Sequence, residues 1–309
     1  MNVLRSVLLI VSVPALALAV AACGDSAAAH AGKGQIAAVG AENEYANVIS
    51  QVGGRYVSVN AIESNPNTDP HTFEASPTVA QVVGSAQLVV QNGVGYDSYM
   101  NKIESAQPSS TRRVIDVQKL LGLPDSTPNP HLWYKPGTMA AVGRAVEQDL
   151  AALQPDHAAY FAAHESRFAA SLEPWYAALK QFAVHHPNTP VAVTEPVGDY
   201  MLQAAGARIL TPFTLQTDIM NGVDPAPQDV TLQRQLLAEH RVKVFVYNQQ
   251  VTDTLTNTFL TAARQDGIPV VGVYETMPVP GYDYQSWMLA EVKALERAVT
   301  TGASTERLR

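Results

Sequence analysis

Short apolar runs rich in β-branched residues alternate with helix-like stretches along this chain, and the whole pattern occurs twice. The first set is QIAAVGA (35–41), YVSVNAI (56–62), AQLVVQN (86–92) and RRVIDVQ (112–118). The second is PVAVTE (190–195), ARILTP (207–212), VKVFVYN (242–248) and IPVVGVY (268–274). Strands alternating with helical patterns at this spacing imply parallel βα units. Two sets of four predict an α/β fold of two βα lobes, each with a four-stranded parallel sheet. The 309 residues leave room for a core in each lobe. Between the sets, 156–184 lacks turn signals except Pro174, and Phe161, Phe168, Leu172, Trp175, Leu179 and Phe182 fall on one helical face. At about 1.5 Å per residue such a helix is roughly 43 Å long, bent near Pro174, and can join the two lobes.

The N-terminus reads differently. Arg5 is the only charge in residues 1–22, and LLIVSVPALALAVAA runs unbroken to Cys23. An apolar stretch of that length ending in small residues is a secretory signal. Val20-Ala21-Ala22-Cys23 also resembles a bacterial lipobox, in which the cysteine is lipidated. Cys23 is the sole cysteine, so neither an internal disulfide nor a thiolate metal site can form. The small, polar GDSAAAHAGKG that follows suits a tether. The expected organisation is therefore a lipoprotein signal peptide (1–22), a flexible tether (23–34), an N-terminal lobe (35–155), a linker helix (156–186) and a C-terminal lobe (187–309). Removing Arg5 takes the formal charge from −8 to about −9, and an acidic chain without a basic cluster argues against nucleic acid as partner.

Chemistry-bearing residues gather at strand ends. His71 lies in NPNTDPHTFEASP (65–77), after the second strand and ahead of Ser76-Pro77, an N-cap with proline at the first helical position. His131 lies in NPHLWYKP (129–136), after the fourth strand, and repeats the Pro-His-x-aromatic pattern. Glu195 ends the fifth predicted strand and Glu275 follows the eighth. The carboxyl ends of parallel strands are where open α/β sheets bind ligands. Two neutral imidazoles and two carboxylates form a donor set for a divalent transition metal. The other histidines lack such support: His157 and His164 are seven apart on the linker, His185 and His186 end it, His240 precedes a strand, and His30 lies in the tether.

The lipobox, SNPNTDPHTFEASP, AQLVVQNGVGYDSYM, NPHLWYKP and VTEPVGDYML resemble, in order, the metal-binding lipoproteins of the cluster A-I class. These are the solute-binding components of zinc and manganese ABC importers. The resemblance implies two lobes joined by one rigid helix with the metal between them, His71 and His131 as N-lobe ligands, and Glu195 where that family places histidine or glutamate. It also implies a monomer held by its lipid on the outer face of the cell membrane, with permease and ATPase subunits as partners. The chain departs from the family at the fourth ligand. The expected aspartate is replaced by Thr276, so Glu275 or Asp283 takes the role, and Glu275 is favoured for its reach. The family's His-rich loop is absent. The cargo is Zn2+ or Mn2+, since replacing imidazole by carboxylate hardens the site while zinc still binds tightly to two histidines and two glutamates. Two competing classes are a secreted zinc hydrolase and a non-metal receptor or adhesin. The first lacks an H-E-x-x-H and an open coordination position, so the chain is read as not an enzyme. The second would rely on Tyr96, Trp133, Tyr274 and Tyr282.

Overall fold

The computed structural model describes residues 32, 34–278 and 280–308. The expected signal peptide and Cys23 lie outside the described residues. Among the described residues no helix is long and apolar enough to cross a membrane.

Among the described residues eight strands form: β1 Ile36–Glu42, β2 Val57–Glu63, β3 Leu88–Gln91, β4 Arg113–Asp116, β5 Pro190–Val193, β6 Arg208–Ile209, β7 Val244–Asn248 and β8 Val270–Val273. They build two wholly parallel four-stranded sheets, ordered β2-β1-β3-β4 and β6-β5-β7-β8. Each lobe thus repeats the other's topology. In both, the chain reverses direction across the sheet beside its first strand, and crevices at the carboxyl ends open at such points.

β4 and β6 are cut short of their apolar runs by side-chain hydrogen bonds. β4 stops at Asp116 because the Asp116 side chain accepts the Lys119 backbone N–H and starts the helix Val117–Leu120. β6 is a two-residue edge. Beyond it the Thr211 hydroxyl accepts the Val193 backbone N–H at 2.8 Å, so a side chain replaces the ladder.

The expected single linker helix is two helices, Ala158–Ser171 and Glu173–His185, meeting at Leu172. Pro174 sits in the first turn of the second, where its missing N–H costs nothing. All six predicted apolar positions are buried, from Phe161 to Phe182. They belong to one continuous core that also takes in Ile36, Leu88, Val191, Val246, Val273 and Trp287 from both lobes and the last helix, Tyr284–Thr301.

Polar bonds add to that seam. Tyr284 Oη donates to the Trp133 carbonyl at 2.6 Å, and Tyr134 Oη to the Tyr274 carbonyl at 2.9 Å. The Asn43 side chain pairs with both backbone groups of Met277 at 2.8 Å each.

Candidate metal centre

Both histidine loops use one local device. Asp69 Oδ1 accepts the backbone N–H of His71 at 2.8 Å, and Asn129 Oδ1 accepts that of His131 at 3.0 Å. In each case an Asx residue two positions before the histidine folds the Pro-His step into a tight turn. At His131 the device goes further. Nδ1 lies 2.8 Å from the same Asn129 oxygen, which can only accept, so Nδ1 carries the proton and Nε2 is left as a bare lone pair. Asn129 Nδ2 also donates to the Pro196 carbonyl at 2.7 Å, which ties this loop to the residue after Glu195.

Glu275 completes the group from the opposite lobe. Its Oε2 stands 3.1 Å from His71 Nε2 and 3.6 Å from His131 Nε2. One ligand atom from each of the three residues lies within 4.8 Å of the others. Two donors each about 2.0–2.2 Å from a tetrahedral ion are roughly 3.3–3.6 Å apart, so the 3.6 Å separation fits an edge of a zinc-sized coordination shell and the 3.1 Å one is slightly shorter than such an edge. Apart from these ion-pair contacts with Glu275, neither Nε2 makes a hydrogen bond. Two imidazole nitrogens converge on a carboxylate oxygen, an arrangement that a cation between them relieves. His131 and Glu275 are fully buried while the His71 side chain is 18% exposed. His71 lines a cavity of about 580 Å³ between the lobes, together with Tyr96, Lys102, Asn221 and Gln250.

Charge follows from burial and neighbours. Burial pushes the His131 imidazole down, so it stays neutral. Burial also lowers His71, but the Glu275 charge and contact, then Asp69, carry it above the ordinary histidine value. Burial opposes the Glu275 charge, yet His71 and His131 together hold that carboxyl well below the usual range.

Glu195 stands apart from the three. It is 2% exposed, and its Oε1 accepts from Asn248 Nδ2 at 3.2 Å, while the same nitrogen donates to Glu275 Oε1 at 2.6 Å. One amide therefore separates the two carboxylates. Burial, then the Glu275 charge, pushes Glu195 well above the ordinary carboxylate range. Its Oε2 has no partner. The expected four-donor shell is thus brought together as three, with Glu195 one side chain away.

Asp283, the alternative fourth ligand, is occupied elsewhere: it caps the helix Tyr284–Thr301 by accepting the Ser286 N–H at 2.9 Å in a capping box. The remaining described histidines have local partners or structural settings. His157 stacks on Tyr56 and His164 on Tyr160, His185 and His186 end the linker, and His240 takes a positive φ of 51°. Of the four aromatics proposed for a non-metal cleft, Trp133 is fully buried and Tyr282 lines a separate cavity near the C-terminal segment. Tyr96 reaches Glu275 itself, and Trp133 packs edge-on against His131 at 5.3 Å.

Two polar residues here, Asn248 and Tyr96, have roles that local sequence does not reveal. The sole hint for Asn248 is a polar residue ending a strand that is buried throughout.

The model of the family described as ZnuA, zinc-uptake complex component A periplasmic, matches residues 39–298. A curated relative, the manganese-binding lipoprotein MntA of Bacillus subtilis (strain 168), is 22% identical over 257 residues, covering 81% of this chain and 82% of its own. Among solved structures, one described as ZnuA superposes with a TM-score of 0.69 at 20% identity, covering 86% of this chain and 100% of its own. The periplasmic zinc-binding protein TroA from Treponema pallidum gives 0.73 at 17%, covering 87% and 100%. These structural likenesses concern the fold, whereas the family match spans most of the sequence: the chain belongs to the ZnuA family of periplasmic metal-binding, ABC-type solute-binding proteins.

Proposed function

We propose that this protein captures a divalent transition-metal ion, zinc or manganese, between its lobes. It then delivers the ion, outside the cytoplasm and lipid-anchored through Cys23, to the permease and ATPase of an ABC importer. The observation that carries this reading is the convergence of the Nε2 atoms of His71 and His131 on Glu275 Oε2. The ion would take those three donors. Glu195, on losing its proton, would swing its free oxygen in as a fourth. Two imidazoles with two carboxylates close a tetrahedral shell and leave no position for an activated water, so binding rather than hydrolysis fits the donor set. The zinc and manganese relatives frame the cargo as one of these two ions.

Equilibrium dialysis with elemental analysis tests the reading. One equivalent of zinc or manganese should be retained by the wild type and lost from His71→Ala and His131→Ala. A wild type that retains no stoichiometric metal, or variants that retain it in full, would sink it. Cys23→Ala should in turn abolish lipid labelling and recovery with membranes.

A further inference from the structure

Tyr96 reaches the centre on a turn whose backbone is costly. Gly93, Val94 and Gly95 all have positive φ, at 80°, 54° and 77°. Glycine accepts that region freely, but a β-branched residue such as Val94 does not. Strain of this kind persists only where its surroundings over-determine it, and here they do. The Asp97 carboxylate accepts the N–H groups of Asn92 and Gly93 at 2.6 and 2.9 Å, and Gln118 Oε1 accepts that of Val94 at 2.6 Å. The Tyr96 ring is packed edge-on against His71 and Trp133, at centroid distances of 5.2 and 5.1 Å.

So held, Tyr96 Oη donates to Glu275 Oε2 at 2.8 Å, the oxygen that faces both imidazoles. Asn248 occupies the other oxygen at 2.6 Å. We propose that Tyr96 is a positioning and specificity-determining residue, which confines Glu275 to a single metal-facing lone pair and biases the centre toward four-coordinate zinc over manganese. The proposal rests on the metal-binding reading above.

The chemistry is that of coordination number. A carboxylate free to rotate can present both oxygens to one ion and raise its coordination from four toward six. Hard ions such as manganese favour the larger, oxygen-rich shell, and zinc the tetrahedral one. With Oε1 fastened to Asn248 and one lone pair of Oε2 taken by Tyr96, the second mode is closed.

Tyr96→Phe removes the hydroxyl and keeps the ring packing, so the fold should survive. Wild type and variant are loaded with cobalt(II), and visible d–d absorption per bound ion is measured. Zinc and manganese are then set in competition by dialysis with elemental analysis. The wild type should show the strong bands of four-coordinate cobalt. The variant should show bands several-fold weaker and a zinc-over-manganese preference reduced about tenfold or more. Unchanged spectra and preference would overturn the proposal. So would an equal loss of affinity for both ions with an unchanged spectrum, which is the mark of a merely structural role. A phenolate-to-iron charge-transfer band in ferric wild type, absent from the variant, would also overturn it by making Tyr96 a ligand. Failure of the wild type to bind cobalt, zinc or manganese would instead remove the metal-binding reading itself, a result distinct from each of these.

Discussion

An imidazole ligates only through a bare nitrogen, and at His131 the residue two places earlier decides which nitrogen that is. Asn129→Ala removes the acceptor for Nδ1–H, so either tautomer becomes accessible and metal affinity should fall about 10- to 100-fold. Asn129→Asp keeps an acceptor and should retain more of it; calorimetric titration with zinc reads both. Glu275→Gln should cost at least about tenfold, or 1.4 kcal/mol, while Asp283→Asn should leave affinity unchanged, since asparagine also caps helices well. Thermal shift with saturating metal separates them: loss of the shift in the Asp283 variant but not the Glu275 variant would reverse the assignment. Protons and metal compete for His71, whose ordinary value is raised by Glu275. Affinity should therefore begin to drop at a pH above the usual histidine range and keep falling as the solution is acidified, a trend that titrations from pH 8.5 to about 5 would show.

Among the secondary-structure elements, all eight strands and the linker's buried face were legible because each carries its own periodicity. The ends were less so. RRVIDVQ looks like one strand until the Asp116 carboxylate captures a backbone N–H three residues on. That outcome depends on a side-chain rotamer rather than on hydrophobic pattern. Trp175, which is 1% exposed and lies edge-on to Tyr284, sits where the linker joins the last helix. Trp175→Ala should destabilise the protein by about 3–5 kcal/mol and Trp175→Phe by clearly less. Equal midpoints for both in urea would contradict the packing described.

In the molecule as a whole, His71 and His131 stood out in the sequence by their repeated Pro-His-x-aromatic pattern, and Glu275 by its place two residues beyond β8. Tyr96 and Asn248 did not, since their partner is the carboxylate of Glu275, 179 and 27 residues away in sequence. Buried acids set the molecule's response to pH. Glu291 Oε1 accepts from Tyr134 and Trp287 at 2.8 and 2.7 Å, and burial pushes its carboxyl up to about 8. The unfolded chain releases this proton near pH 4.5, whereas the folded chain keeps it to about pH 8. Stability should therefore decline as pH rises between those values, by on the order of 3 kcal/mol from this group at pH 7. Glu291→Gln, neutral throughout, should flatten that part of the decline in thermal melts between pH 5 and 8.

The core shared by the two lobes bears on how long an ion stays. Swinging the lobes widely apart would expose apolar surface at about 25 cal/mol for each Å², a barrier that grows with every degree of opening. Shifting the short stretch around His71 uncovers far less, and His71 is the one member of the triad that meets the cavity. On the metal-binding reading, residence time should then follow the excursions of one loop. Hydrogen exchange at Thr72 and Phe73, whose amides close the turn on Asp69 and Pro70, should track the metal off-rate as it is varied by pH.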